Sequence, residues 1–447
     1  MSKGEIRLLQ NPSDFARELS VLPQDLPIQH SWGAYTPYFS AEPYTPPPDG
    51  CHITQVNIIQ RHGARVPTFG SSLGIVAAVE KLQEATNYTA TELNFLSNYT
   101  YTLAMNGDLL PFGAIQSEES GYETYKRYAN LVSHEYQPFI RAASGVRVVD
   151  SANNWTLGFS IASNKVYTPS VSVILSESSN CTLDDTMCPN VGSSDDMTAL
   201  WASIYAAPIA ARLNAQAPGA NLRPDNIPFL MALCAFETIA NGRQSPFCTL
   251  FTPQEFAQYE YFVDVGKYYG TGHGAYLGRV QGVGYVNELL ARLTGKPVND
   301  KTQTNSTLDS SPITFPLNHT LYADFSHDNQ MVAIYSAIGL FKQPADLDPT
   351  LPDPKRTWYI SQLTPFSGRM VTERLTCPGR VVRHGSSRSL STHSVSDTFV
   401  RILVNDALQL LEFCGGDKDG LCTLDAFVES QAYSRENGQG DFEKCFD

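Results

Sequence analysis

Arginine beside histidine, in the tripeptide Arg-His-Gly, occurs twice in this chain. The first copy lies in "ITQVNIIQRHGARVPTFG", residues 53–70, and supplies Arg61, His62, Gly63 and Arg65. The second lies in "GRVVRHGSSRSLS", residues 379–391, with His384 and a downstream Arg388. Two guanidiniums beside an imidazole suit a phosphate or a carboxylate, because the planar arginine fork gives charge-assisted, bidentate hydrogen bonds to such oxyanions. The first copy follows a β-branched apolar run that reads as a buried strand ending at Arg61, and a proline soon afterwards stops regular structure. Open α/β sheets bind ligands beyond the carboxyl ends of their strands. Gly63 there would let backbone and ligand approach closely. The second copy follows only two valines and runs into a Ser-rich polar stretch, which reads as a solvated basic loop. The first copy is therefore expected to do the chemistry.

A lone pair of this kind needs partners, and two further segments supply them. "FSHDNQ", residues 325–330, puts His327 and Asp328 at another strand end, where Asp328 would also serve as the N-cap of a following helix. "FIRAASGVRVV" puts Arg141 and Arg147 around a strand–turn–helix junction. Read together, these pieces offer a nucleophile, a proton donor and a cationic cradle.

The elements that must hold them follow from periodicity. "HITQVNIIQ" is a strand; "GIVAAVEKLQEAT" and "EESGYETYKRYANLVSHEYQPF" carry helical spacing. "DMTALWASIYAAPIAARLNA" and "GVGYVNELLARLTG" are helices, the second with a glycine stop. "HTLYADFSHDNQMVAIYSAIGL" reads as strand, polar tip and helix, and "FVRILVNDALQLL" as a further strand. Strands alternating with helices, interrupted by two helical blocks, predict an α/β sandwich core with a mixed sheet plus a smaller helical insert domain. The expected organisation is an extended, Pro- and Tyr-rich arm over 1–50 and a catalytic core from 51–70, 138–185 and 301–447. The segments 71–137 and 186–300 form the mostly helical insert region.

Bulk properties exclude several classes. A chain of 447 residues with 42% hydrophobic and 17% charged residues can bury a sizeable core. A net charge of −14 argues against nucleic acid as partner, since a phosphate backbone needs a basic face, but leaves room for a small anion in a local arginine pocket. No apolar run approaches the ~20 residues of a membrane helix, so no membrane association is expected. No metal-ligand cluster or cofactor motif is found, and no metal or cofactor is expected. "GGDKDGLCTLDAF", residues 415–427, imitates a calcium loop with Asp417 and Asp419 but lacks the acid at its first and twelfth positions.

"RHGARVP" with a downstream "HDN" resembles the histidine acid phosphatases, and closely their fungal phytase branch. The likeness runs from about residue 30 to the C-terminus and includes "YADFSHDN", "GHGAYLG", "QGVGYVNELLARLT" and "VRILVND". It implies that His62 attacks phosphorus to form a phosphohistidine, that Arg61, Arg65 and His327 hold phosphoryl oxygens, and that Asp328 protonates the leaving alkoxide. A third phosphate-binding arginine is implied six residues beyond another arginine, a spacing that selects Arg147 and leaves Arg141 as the alternative. The implied substrate is a small phosphate ester, myo-inositol hexakisphosphate (phytate), hydrolysed at acidic pH without nucleic-acid, membrane or subunit partners. The alternative on the same scaffold is a broad acid phosphatase. A phosphate-binding glycoprotein without catalysis is the reading from another class, and intact His62 and Asp328 speak against it.

One departure from the family pattern bears on substrate. Lysines that several relatives carry after the RHG motif are absent from "FGSSLG", and of a lysine pair before the tyrosine run only Lys267 remains, as an expected contact to the substrate's outer phosphates. Nine cysteines without a CxxC pair and six N-x-S/T sequons, at Asn87, Asn98, Asn154, Asn180, Asn305 and Asn318, point to an oxidising, secretory route. The first fifteen residues have no apolar h-region. The expectation is a secreted protein whose leader is missing from this chain. The resemblance also implies the pairs Cys51–Cys377, Cys188–Cys445, Cys234–Cys248 and Cys414–Cys422, with Cys181 left over.

Overall fold

The computed structural model describes Leu22 and residues 27–382, 394–395 and 397–447. The second Arg-His-Gly copy, with His384 and Arg388, lies outside the described residues.

The chain folds around one mixed sheet. Its first strand, β1 (His52–Arg61), is buried continuously from Gln55 to Arg61, as expected of a strand covered on both faces. Helices α1 (Phe69–Gln83) and α2 (Pro111–Tyr128) follow, then β2 (Phe139–Ala143), α3 (Val146–Ala162) and β3 (Val173–Leu175). The next stretch is helical: α4 (Asp195–Gln216), α5 (Ile227–Asn241), α6 (Pro253–Gly270) and α7 (Val283–Thr294). The chain returns through β4 (Leu321–Ser326), α8 (Asp328–Ile338), β5 (Arg369–Thr376), β6 (Thr398–Val404), β7 (Ala407–Gln409), β8 (Cys422–Thr423) and α9 (Leu424–Ser430).

The strand order is β8–β6–β5–β1–β4–β2–β3, with β7 on β6. Strands β1, β4, β2 and β3 run parallel, and everything beyond β1 on the other side is antiparallel. Hence β1 sits where the two halves meet, and the carboxyl ends of β1, β4 and β2 share one edge. The register Arg61 to Ser326 brings the two histidine-bearing tips side by side. The mixed sheet with helices packed on it is the α/β arrangement expected from the sequence.

Strand β5 is not legible in the sequence. "RMVTERLT" puts charges on a central strand, and the structure resolves them internally: Glu373, fully buried, receives the Arg401 guanidinium and the Tyr128 hydroxyl at 2.7 Å. Helices α2 and α3 pack backbone to backbone. A Cβ on Gly158 would stand 1.8 Å from the Glu118 carbonyl oxygen, and one on Gly121 would stand 1.9 Å from that of Trp155. The helices of the 186–300 stretch pack on one another and on α1.

Four disulfides join the cysteines as the resemblance implied, and Cys181 is buried and free. Burial pushes the Cys181 thiol up to about 12, which leaves it inert as a nucleophile. Asp417 and Asp419 of the calcium-like loop both accept from Arg380. Of the sequon asparagines, Asn87, Asn98, Asn180 and Asn318 are exposed, whereas Asn154 and Asn305 are half-buried. No helix among the described residues is long and apolar enough to cross a membrane.

Candidate active site

The site grows from the tip of β1. Arg61 is the last strand residue and fully buried, donating to the carbonyls of Ala34 and, at 2.8 Å, Thr364. Its guanidinium lies over the Phe366 ring, 4.5 Å from the centroid. Next to it the His62 amide donates to the Ser326 carbonyl at 3.1 Å, which ties the tip of β1 to that of β4. Gly63 is required by packing: a Cβ there would meet the Gly113 carbonyl oxygen of α2 at 2.1 Å. Its amide donates to Ser151 Oγ of α3 at 2.9 Å, and the Ala64 amide to Gln116 Oε1 of α2 at 3.0 Å. The tight turn is therefore held by two helices, and the role of Gly63 is close approach of backbone to backbone.

His62 is 1% exposed, and its Nδ1 lies 2.8 Å from the Gly63 carbonyl oxygen. A carbonyl accepts only, so the proton sits on Nδ1 and Nε2 carries the lone pair. Burial, then Arg61, Arg65, His327 and Arg147, hold its pKa well below the ordinary histidine value. The imidazole is neutral across the working pH range.

Three arginines surround it with unused donors. Among the described residues, Arg61 Nε and Nη2, Arg65 Nε and Arg147 Nε are buried nitrogens without a hydrogen-bond partner. Buried donors are nearly always satisfied, so four unsatisfied ones beside one imidazole indicate that an acceptor belongs there. Burial, offset by Tyr35, brings Arg65 down to about 10, which leaves it cationic. Arg147, in the first turn of α3, donates from Nη2 to His327 Nδ1 at 3.2 Å. The other candidate, Arg141, is not in the site. It is buried in the core on Asp324 and Glu288, at 2.8 and 2.6 Å.

At the tip of β4, His327 occupies the N-cap position of α8 and Asp328 begins the helix. The two histidine rings are 5.6 Å apart, edge to face. With Nδ1 accepting from Arg147, His327 Nε2 carries the proton and donates to Glu177 Oε1 at 3.0 Å; Asp184 Oδ1 stands 3.7 Å away. Glu177 also accepts from the Gly145 amide at 2.7 Å, and hydrogen bonding from His327 leads the causes that lower its pKa. Glu177, Asp184 and His327 are of metal-ligating type and close together, but Arg147 stands on the same ring and the Glu177 oxygen is taken. The arrangement orients His327 toward an anion. Sequence reasoning missed Glu177 and Asp184, which lie in loops with no local signal, and Phe366, whose ring carries Arg61.

Asp328 is clamped between cations. Lys267 Nζ of α6 lies 2.8 Å from Asp328 Oδ2 and also donates to Asn329 Oδ1. Arg61 Nη2 lies 3.2 Å from the same oxygen. Burial favours the neutral acid, but Arg61 and Lys267 outweigh it and hold the carboxyl well below the usual range. These groups line or floor a cavity of about 860 Å³. On its wall Glu177, Asp184 and Asp185 face Arg65, Arg147 and Lys267.

Residues 52–405 match the family model "Histidine phosphatase superfamily (branch 2)". The chain is 40% identical over 440 residues to a protein named Phytase A from Emericella nidulans, covering 94% of this chain and 91% of that one. It is 39% identical over 442 residues to a Phytase A from Aspergillus terreus, with the same coverage. Among solved structures, the phytase from D. castellii superposes with a TM-score of 0.74 at 23% identity, covering 100% of this chain and 92% of that one. The Bifidobacterium longum multiple inositol polyphosphate phosphatase in complex with inositol hexasulfate gives 0.62 at 13% identity, covering 91% of this chain and 98% of that one. Both likenesses concern the fold.

Proposed function

The chain belongs to the histidine phosphatase superfamily, branch 2, and from that membership we infer that it is a phytase, a phosphomonoester hydrolase acting on myo-inositol hexakisphosphate at acidic pH. The observation that carries this reading is the set of four unpartnered guanidinium nitrogens on Arg61, Arg65 and Arg147 around a neutral, buried His62. Phosphoryl transfer needs little more than positioning and stabilisation of charge on the equatorial oxygens. In this reading the three arginines and His327 hold one phosphate of the substrate. His62 Nε2 attacks phosphorus, the P–O ester bond breaks, and the Asp328 proton goes to the leaving alkoxide. Water then attacks the P–N bond, Asp328 takes the water proton, and inorganic phosphate leaves with His62 restored. Four disulfides and exposed sequons support a secreted protein, which we expect to act as a monomer.

One observation favours a second reading, a broad acid phosphatase on the same scaffold. The outer cavity sets three carboxyl groups, Glu177, Asp184 and Asp185, against Lys267, and that lysine is engaged with Asp328. Phosphate release from phytate and from p-nitrophenyl phosphate at about pH 5 separates the two, where a carboxylic acid can still donate. Phytate turnover at least matching that of the aryl ester is expected of a phytase. Turnover of the aryl ester alone would establish the broad phosphatase.

A further inference from the structure

We propose that Lys267 acts on the reaction through Asp328, as the residue that positions the proton donor, and not by binding the substrate's outer phosphates. The inference rests on the reading of Asp328 as general acid. Lys267 leaves α6 at its last turn, crosses to the start of α8, and spends two donors there, on Asp328 Oδ2 at 2.8 Å and on Asn329 Oδ1. Its side chain is 19% exposed, and that of Asp328 17%. A cation intended for a distal phosphate would be extended into solvent with free donors; this one is folded onto the acid. Its two acceptors also fix the Asp328 carboxylate from the side opposite the strand, while Arg61 approaches from β1 at 3.2 Å.

The consequence is electrostatic. Asp328 is faced by Arg61 and His62 from the tip of β1, by Lys267 from α6, by Arg147 from α3, by its neighbour His327, and by Asp185 from the loop after β3. Arg61 and Lys267 are the two cations in ion-pair contact. In the empty enzyme they keep the carboxylate ionised, whereas the first chemical step needs it protonated. An arriving phosphate places negative charge on Arg61 and offsets one of the two cations. Lys267 is the other, and its charge sets how much of the enzyme carries the proton when the ester bond breaks.

Glycerol 2-phosphate is the probe, because it has one phosphate and no outer phosphate to touch Lys267, yet its alkoxide leaving group needs an acid. The kcat/KM profile against pH would be measured for the wild type, Lys267→Met, Lys267→Gln and Lys267→Arg, with folding checked by thermal melting. An opposite charge within ~4–6 Å lowers a carboxyl pKa by about 1–3 units. The falling limb is therefore expected to move to higher pH by about one unit or more in whichever neutral variant folds, and to return toward the wild-type position in Lys267→Arg. A limb that coincides with the wild type in a folded neutral variant, while the KM for phytate rises, would overturn the proposal and return Lys267 to the substrate rim. His62→Ala on the same substrate keeps the two readings apart. If that variant stays active, the assignment of the site has failed; if it is silent and the limb is fixed, only the role of Lys267 has.

Discussion

His62 and the residues around it show how far residue types alone carry a reaction. A histidine that donates Nδ1–H to its own neighbour's carbonyl and is kept neutral by burial and by three arginines is a nitrogen nucleophile at acid pH, where a free imidazole would be protonated. His327 depends on a residue outside the motifs. Replacing Glu177 by Gln removes the charged acceptor of His327 Nε2, frees the ring to turn, and loosens the Arg147 contact behind it. Misplacement of about 1 Å can cost ~10²-fold, so kcat/KM for phytate should fall on the order of 10- to 100-fold with no loss of thermal stability. An unchanged kcat/KM would mean that His327 is held by its backbone alone. The sequence showed Arg61, His62, Arg65, His327 and Asp328 because each lies in a compact run beside a strand end. Glu177 and Asp184 were illegible because their place in the site comes from loop paths that no local pattern encodes. The same holds for the side chain of Lys267: its position on α6 was readable, but its direction toward Asp328 was not.

Parallel strands β1, β4 and β2 deliver the site to one edge, and a buried ionic knot fixes β4 against its neighbours. Asp324, fully buried on β4, takes Arg141 of β2 at 2.8 Å and Arg292 of α7 at 2.6 Å. Burial would raise its pKa, but the two guanidiniums bring it down to about 2. Because the folded value lies below the unfolded value near ~3.9, this carboxylate adds stability above about pH 4 and loses it as pH falls toward 2. Asp324→Asn leaves two guanidiniums facing an amide and should cost about 3–5 kcal/mol near pH 6. The difference in melting temperature between the variant and the wild type should narrow between pH 4 and 2.5, the signature of titrating this group; a pH-independent gap would contradict it. The strand that carries Asp324 was legible from its apolar run. Strand β5, at the centre of the sheet, was not, because its Arg369, Glu373 and Arg374 read as surface residues. The partners that make them tolerable, Arg401, Tyr128 and Asn405 among them, lie far away in the sequence.

Over the whole molecule, covalent ties hold both ends of the chain to this sheet. Cys51–Cys377 joins the start of β1 to the end of β5, and Cys188–Cys445 fixes the C-terminus across a separation of 257 residues. Closing so long a loop restricts the unfolded chain, and replacing Cys188 and Cys445 by serine should cost about 2–5 kcal/mol, read as a lower melting temperature with phytate turnover retained below it. Equal melting temperatures would show that the terminus is held by packing alone. The cysteine pairing could be expected from family resemblance, and spacing alone would have left many pairings open. The central claim concerns the whole enzyme as it turns over: phosphate passes through His62. It is tested most directly by mixing intact protein with phytate, quenching into alkali, where a phosphorus–nitrogen bond survives, and locating the added group by mass spectrometry. The account predicts one phosphoryl group on His62, formed in the wild type and absent from His62→Ala. A group on another residue, or phosphate release by His62→Ala at the wild-type rate, would contradict it.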